Sequence, residues 1–406
     1  MGSIAVLLMM DTEKLIFSKF LGVRVYGTFF QTNAHLPLLN MMVALGSLCL
    51  VSSSNWLSVY LAIELSTLSL FILAAQKGGS GQSAEAGLKY FVLGALSSGL
   101  FLFGCALLCG FTGGAHIPYI NVALNPGFDF SEIRVPIGSL LIVVALLFKL
   151  SVAPFHMWAP DVYDGAPTTT TALLAIVPKV GYFSILVSIG SAVNILLVGA
   201  LFSMVVGALG ALNQTKVKRL LAYSGVGHMG FVLWGIEVGS FESIQASLTY
   251  MVLYVIMSIC VFAIILALGT VKSLIVEFSG LSRRSPVLAL TLALTFLSIA
   301  GIPPLVGFLG KWLVLLSGVV CQYYLVFILA VMCSVVAGVY YVRIVKIIYF
   351  QASFSLLISS KMLRKENWIN LRKALLIGAG LYVIGFTMLS PNLWLQLTHW
   401  AVGGLF

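Results

Sequence analysis

Long apolar runs separated by short loops recur from Leu36 almost to the C-terminus of the 406-residue chain. A helix needs about 20 mostly apolar residues to cross a hydrocarbon layer about 30 Å thick. Because lipid offers no hydrogen-bond partners, only helices and closed barrels span it. We predict eleven spanning helices, at residues 36–54, 56–76, 86–110, 137–153, 167–190, 193–212, 217–237, 243–269, 287–317, 320–349 and 372–396. The predicted fold class is therefore an all-α polytopic membrane protein.

Composition supports a membrane protein and argues against a nucleic-acid partner. Hydrophobic residues make up 60% of the chain and charged residues only 8%, with a mean hydropathy of +1.09. About a quarter of the residues of a soluble domain are charged. The net charge of +10 comes from basic residues in short loops, where they set topology. We expect membrane lipids as partners, with cardiolipin as a candidate, and no nucleic acid.

The basic residues fall almost entirely on one predicted side of the membrane. When Lys149, Lys179 and Lys311 are set aside as buried, every other Lys and Arg except Arg134 lies on the side of the N-terminus. Short loops on the inner side of a membrane are enriched in Lys and Arg. We therefore predict that the N-terminus is inside and the C-terminus outside.

The two ends of the chain differ from the helical body. The apolar run from Ile4 to Met10 is too short to cross a bilayer, and no signal-peptide cleavage pattern follows it. We interpret residues 1–35 as an interfacial arm. Residues 351–406 are predicted to form an interfacial segment and the last spanning helix.

Two predicted helices, the fourth and the ninth, are broken by prolines. They lie five spans apart, so they cross the membrane in opposite directions, as the discontinuous helices of inverted-topology repeats do. We therefore predict two five-helix halves, 36–190 and 193–350, which face each other around these helices. The strings LSVAP at 150–154 and LSIAGIPP at 297–304 are a faint sequence match between the halves.

Three lysines, Lys149, Lys179 and Lys311, lie inside apolar spans and close to prolines. An isolated ammonium at the bilayer centre costs roughly 2.5–3.5 kcal/mol on insertion scales. A proline frees a carbonyl one turn upstream, so polar backbone and water reach an otherwise dry site. Near Lys311, the carbonyls around Ile299 and Ala300 need a partner. Snorkelling to the headgroups is the alternative for each lysine, but the repeated pairing with proline favours buried, functional lysines.

One carboxylate, Glu64, and one imidazole, His228, lie near the middle of the second and seventh spans. The structural alternatives are a helix-packing ion pair and a packing histidine. A carboxylate about 4 Å from an ammonium contributes on the order of 4 kcal/mol at an effective dielectric of about 20. Small movements between Glu64 and Lys149 would therefore control the proton of the lysine. We predict a hydrated polar axis, roughly parallel to the membrane, from Glu64 through Lys149, Lys179 and His228 to Lys311.

Charged residues near the predicted inner ends of the spans are accessory candidates: Lys89, Asp161, Asp164, Lys216 and Lys218. A glutamate four residues before Lys89 favours a helical ion pair and hence a structural role. Asp161 and Asp164 are candidates for gathering protons at an entrance, although capping of the following helix explains Asp164 equally well. We interpret Lys216 and Lys218 mainly as topology charges.

The sequence contains no motif for a redox cofactor or a metal. The six cysteines lie in apolar segments and lack CxxC spacing, so neither zinc nor an iron–sulfur cluster is indicated. A dinucleotide fingerprint, a P-loop and a haem motif are absent from the sequence. We expect no cofactor and no redox chemistry in this chain.

Several segments together resemble one family of membrane subunits. They are FKLSVAPFHMWAPDVYDGAPT at 148–168, LAIEL at 61–65, EAGLKYFVLG at 85–94, QTKVKRLLAYSGVGHMG at 214–230 and AGIPPLVGFLGKW at 300–312. These strings are similar to subunit 2 of mitochondrial respiratory complex I and to the N subunit of bacterial proton-pumping NADH:quinone oxidoreductase, both of which resemble cation/proton antiporter subunits. Members of this family often have fourteen helices; with eleven predicted spans, the resemblance implies that this sequence corresponds to a version without the three N-terminal ones, as in shortened animal mitochondrial versions.

The resemblance implies an antiporter-like, proton-translocating membrane-arm subunit of NADH:ubiquinone reductase. Glu64 would modulate Lys149 of the first half-channel, Lys179 would link to the second half, and Lys311 would end the axis. Flavin, iron–sulfur clusters and ubiquinone would belong to partner subunits of the membrane and peripheral arms.

The same resemblance implies the mitochondrial inner membrane, with the N-terminus in the matrix and the C-terminus in the intermembrane space. A bacterial plasma membrane is the alternative location. A subunit of a multisubunit Na⁺/H⁺ antiporter and a structural scaffold without its own proton path are the rival functions.

Overall fold

The computed structural model describes residues 35–77, 79–118, 134–189, 195–269, 273–351, 371–388 and 390–404. The helices in these ranges are α1 (His35–Ser52), α2 (Trp56–Ala74), α3 (Gly81–Thr112), α4 (Arg134–Lys149), α5 (Trp158–Gly165), α6 (Thr168–Ile189), α7 (Ile195–Leu212), α8 (Val217–Val238), α9 (Phe241–Leu268), α10 (Leu281–Arg284), α11 (Pro286–Ala300), α12 (Val306–Val320), α13 (Tyr324–Phe350), α14 (Leu371–Phe386) and α15 (Asn392–Gly403). Of these described helices, seven are long and apolar enough to cross a membrane: α1, α2, α3, α6, α7, α9 and α13. The predicted all-α, polytopic membrane class is confirmed.

Each predicted span coincides with one described helix or with two helices on either side of a break. The ninth predicted span divides into α11 and α12. Gly301 ends α11 in the left-handed conformation, with φ +84°, which favours glycine. The segment 301–305 then separates the two helices, so the break that the two adjacent prolines predicted is present.

Two details of the predicted helices are corrected by the structure. The last predicted span, 372–396, is two helices, α14 and α15, rather than one. Pro391 stands at the start of α15, and a proline disfavours helical conformation in the residue before it. The polar connector after Lys149 is partly helical, because Trp158–Gly165 forms α5.

The buried apolar side chains form two clusters, and Lys179 and His228 lie between them along their helices. On α6, residues 173–177 belong to the first cluster and residues 182–186 contribute to the second. On α8, residues 220–222 belong to the first, and residues between 229 and 236 contribute to the second. Lys179 and His228 fall between these stretches. On each of α6 and α8, therefore, a candidate polar residue lies between two apolar stretches.

Some predicted segments lie beyond the described residues. The arm at 1–35 does so except for His35, and so does most of the predicted interfacial segment after residue 351. The division into halves at 36–190 and 193–350 stays a prediction.

Candidate functional site

The structure buries all three intramembrane lysines and the histidine. The exposed fraction is 6% for Lys149, 3% for Lys179, 5% for His228 and 6% for Lys311, whereas Glu64 is half-buried. Snorkelling to the headgroups therefore does not describe these lysines. Each charged group must find its partners inside the protein.

Glu64 and Lys149 interact without forming a direct ion pair. Lys149 Nζ donates to the Gly94 carbonyl at 3.4 Å and is attracted electrostatically by the Glu64 carboxylate. Among the ion pairs closer than 4 Å that the described residues form, none joins these two side chains. Within the described structure, Glu64 Oε1 is buried without a hydrogen-bond partner. An approach of the two groups to within 4 Å would complete the pair on which the predicted proton switch depends.

The chain after Lys149 is fixed by a tryptophan of α5. Trp158 Nε1 donates to the Phe148 carbonyl at 3.0 Å, and its ring stacks on Tyr90 with a centroid distance of 4.8 Å. Phe148 lies in the last turn of α4, where carbonyls have no partner within the helix. The tryptophan therefore ties α5 to the end of the helix that carries Lys149.

Lys179 lies one residue after Pro178, which α6 contains without ending. Its Nζ donates to the Tyr254 hydroxyl at 3.2 Å and lies 5.1 Å from the centroid of the same ring. The tyrosine thus offers this ammonium an acceptor oxygen and the face of an aromatic ring, which attracts cations.

His228 is held between two tyrosine hydroxyls. Nδ1 lies 2.6 Å from Tyr250 Oη of α9, and Nε2 lies 3.4 Å from Tyr341 Oη of α13. Sequence reasoning missed these tyrosines. The available signal was the spacing of Tyr250 and Tyr254, four residues apart on one helix face, as Ser224 and His228 are on α8.

Lys311 satisfies the last carbonyl of the helix before its own. Its Nζ donates to the Ala300 carbonyl at 2.7 Å and lies 5.7 Å from the centroid of the Phe231 ring. Gly301 has φ +84°, which strains any other residue, and a Cβ there would also lie 2.8 Å from Lys311 Cδ, so a glycine is favoured. The expected need of a carbonyl near Ile299 and Ala300 for a partner is confirmed.

The accessory residues form an ion-pair network between α3, α5 and α8. Asp161 accepts from Arg219 at 2.7 Å and from Lys89 at 3.1 Å, and Asp164 accepts from Lys216 at 2.7 Å. Lys89 also pairs with the glutamate four residues before it, at 2.7 Å, as predicted. The Asp164 carboxylate lies 2.7 Å from Lys216 Nζ and 3.4 Å from Arg219 Nε, so it belongs to the same ion-pair network.

Lys216 and Lys218 therefore do more than set topology. Lys216 pairs with Asp164, as described, and Lys218 is 8% exposed with its Nζ 2.7 Å from the Ala166 carbonyl. Both contacts join the start of α8 to α5 or the residue after it. Within the described residues, no group of three His, Cys, Asp or Glu side chains is placed to hold a metal ion.

Comparison with known families matches residues 53–338 to the family described as NADH:quinone oxidoreductase/Mrp antiporter, TM. The matched range is well over half of the chain and includes all five residues of the predicted axis. The chain belongs to this family. The predicted resemblance to the antiporter-like subunits of complex I is thereby confirmed.

Individual relatives agree with the family. The chain is 74% identical over 374 residues to the NADH-ubiquinone oxidoreductase chain 2 of Metridium senile, covering 91% of this chain and 97% of that protein. It is 41% identical over 327 residues to the NADH-quinone oxidoreductase subunit N of Parvibaculum lavamentivorans, covering 77% and 67%. These relatives are named as subunits of oxidoreductases.

Two solved structures share the fold. A chain of respiratory complex I from Thermus thermophilus has a TM-score of 0.75 at 30% identity, over 89% of this chain and 79% of that one. A chain of the Mrp complex from Dietzia has a TM-score of 0.80 at 20% identity, over 91% and 77%. The second likeness concerns the fold alone.

Proposed function

We propose that this family member is an antiporter-like membrane subunit of respiratory complex I and that it translocates protons through a set of buried polar residues. The set is Glu64, Lys149, Lys179, His228 and Lys311. The observation that carries the proposal is the burial of three lysines and a histidine that form no ion pair with a carboxylate closer than 4 Å among the described residues.

The three buried ammonium groups have neutral hydrogen-bond partners instead of carboxylates. Lys149 and Lys311 are hydrogen-bonded to backbone carbonyls, and Lys179 is hydrogen-bonded to a tyrosine hydroxyl. A buried ammonium without a bound carboxylate is costly, so its charge depends strongly on nearby charges. Such groups exchange protons when a neighbouring charge approaches or withdraws, as Glu64 would do for Lys149.

The relatives' names support a further part of the proposal. We assign electron transfer from NADH to ubiquinone, with its flavin and iron–sulfur clusters, to partner subunits of the membrane and peripheral arms. The chain itself supplies the proton path, with its two halves arranged as an inverted repeat. We place it in a mitochondrial inner membrane with the N-terminus in the matrix and the C-terminus in the intermembrane space, in contact with lipids that include cardiolipin.

Replacement of Lys149 by Ala in the intact complex tests this function. We expect proton pumping per NADH oxidised to fall at least twofold while the complex still assembles, because the first buried proton acceptor is lost. Pumping is measured in liposomes with a pH-sensitive dye, and assembly by native electrophoresis. Lys346→Ala is the matched control, since Lys346 is exposed on α13 and its removal should leave pumping unchanged.

Two rival functions predict different results for proton pumping. Full pumping by the assembled Lys149→Ala complex would favour the structural scaffold. A subunit of a Na⁺/H⁺ antiporter is the other rival, and replacing sodium by choline separates it. We expect pumping to continue in choline, whereas loss of pumping would favour the antiporter subunit.

A further inference from the structure

We infer that the hydroxyls of Tyr254, Tyr341 and Tyr250 carry protons between Lys179 and Lys311 and allow His228 to pass them without holding a net charge. The inference rests on the proposed proton-translocating function and names the groups that fill the gaps between its charged residues. Each tyrosine is buried, and each touches either a lysine or the histidine of the axis.

The imidazole of His228 has a hydroxyl group beside each of its two nitrogens. Both ring nitrogens of His228 face tyrosine hydroxyls, at 2.6 Å for Tyr250 and 3.4 Å for Tyr341. A neutral imidazole has one N–H and one bare nitrogen, whereas a hydroxyl both donates and accepts. One tyrosine therefore donates to the ring while the other accepts from it, and the tautomer decides which does so.

This arrangement passes a proton with a complete balance of bonds. When Nδ1 carries no proton, an incoming proton binds Tyr250 Oη. The original O–H bond of Tyr250 then breaks, and its proton forms the Nδ1–H bond. The Nε2–H bond breaks as an O–H bond forms on Tyr341, whose own proton leaves to the next acceptor. One proton enters, one leaves, and no electron is transferred. Reorientation of the ring and the hydroxyls restores the starting tautomer, and the reverse steps carry a proton the other way.

The side towards Lys179 contains room for the connecting water. Lys179 Nζ donates to Tyr254 Oη, and Tyr254 lines a cavity of about 20 Å³ together with Ser224, Ser258 and His228. A cavity needs about 10–15 Å³ on this measure to hold a water molecule, together with polar partners. The Tyr341 hydroxyl interacts with the Ser224 side chain. One water molecule in the cavity would thus join Tyr254 to Ser224, and the Ser224 side chain would join that water to Tyr341.

The side towards Lys311 is occupied by Tyr250. Its ring packs against Gly310, the residue before Lys311. The Phe231 ring lies 6.0 Å from the Tyr250 ring, between centroids, and 5.7 Å from Lys311 Nζ. Tyr250 is therefore the hydroxyl next to both His228 and the helix that carries the last lysine.

Tyrosine-to-phenylalanine variants of the intact complex test the inference, because they remove the hydroxyl and keep the ring. We expect Tyr250→Phe and Tyr341→Phe each to lose at least half as much proton pumping per NADH oxidised as Lys179→Ala loses. Tyr90→Phe is the matched control and should pump as the unmodified complex does. Tyr90 is equally buried, but its ring packs on Phe71 and Trp158 away from His228.

The outcomes separate the inference from the function on which it rests. Pumping rates are normalised to assembled complex, and since the two tyrosines lie on different helices, either variant decides if the other fails to assemble. Suppose that Lys179→Ala clearly loses proton pumping but the assembled Tyr→Phe variants lose less than half as much. This result would overturn the tyrosine path and leave the proposed function standing. Full pumping by Lys179→Ala contradicts the proposed function itself. An equal loss in Tyr90→Phe would also overturn the tyrosine path.

Discussion

Replacement of Gly207 by Ala should force apart the two helices that place His228. Gly207 of α7 faces the backbone of α8, and a Cβ there would lie 2.5 Å from Gly227 N and 2.6 Å from Gly227 Cα. Ordinary van der Waals contact begins at 3.4 Å, so the helices must separate by about 0.9 Å at this point. Small residues at such crossings allow close helix packing in membranes.

The loss of stability depends on which atoms the added Cβ would contact. Backbone atoms cannot rotate away as a flexible side chain can, and overpacking of this kind costs about 1–3 kcal/mol. Alanine regains about 0.5–1 kcal/mol over glycine within a helix. We expect a net loss of roughly 0–2.5 kcal/mol, with a centre slightly above 1 kcal/mol, in the stability of the folded chain. A shift of α8 would also lengthen the contacts of His228 with Tyr250 and Tyr341, so pumping should fall as well.

The assay compares assembled complexes across a temperature series. Native electrophoresis gives the temperature at which the chain is lost from the complex, and dye quenching in liposomes gives proton pumping. Gly110→Ala on α3 is the control, because nothing lies within 4 Å of the Cβ it would add. Equal stability and equal pumping for Gly207→Ala and Gly110→Ala would refute the close approach of α7 and α8.

Two further experiments address the contacts of α5. A double-mutant cycle of Asp161→Asn and Arg219→Ala, measured by urea titration of the assembled complex, should give a coupling energy of at most about 1 kcal/mol. The side chains are 39% and 40% exposed, so the coupling energy should also decrease with salt. A coupling energy above about 2 kcal/mol would contradict this expectation. Trp158→Phe removes the hydrogen bond to the Phe148 carbonyl and should cost about 0.5–1.5 kcal/mol in the same titration. It should also lower pumping in the liposome assay, because the hydrogen bond lies beside Lys149, and unchanged pumping would show that this tie does not position the lysine.

The positions of the spans and of the buried lysines could be predicted from the sequence because the physical causes are local. A hydrocarbon layer requires a run of apolar residues, and a lysine within such a run is unusual wherever its neighbours lie. The break before Lys311 was predictable for the same reason, since adjacent prolines and a glycine act on their own stretch of chain. The last predicted span was wrong because apolar residues continue past Pro391 and hide the break that the proline makes.

The contacts that give the site its chemistry were decided by tertiary structure. Tyr341 lies 113 residues from His228, yet its hydroxyl faces the imidazole. Arg219 and Asp161, 58 residues apart, meet where α5 packs near α8. The spacing of Tyr250 and Tyr254 places both on one face of a helix, but it does not tell which group either hydroxyl meets. That depends on which helices pack together and how each is rotated, and the apolar pattern of a helix buried on several sides leaves the rotation open.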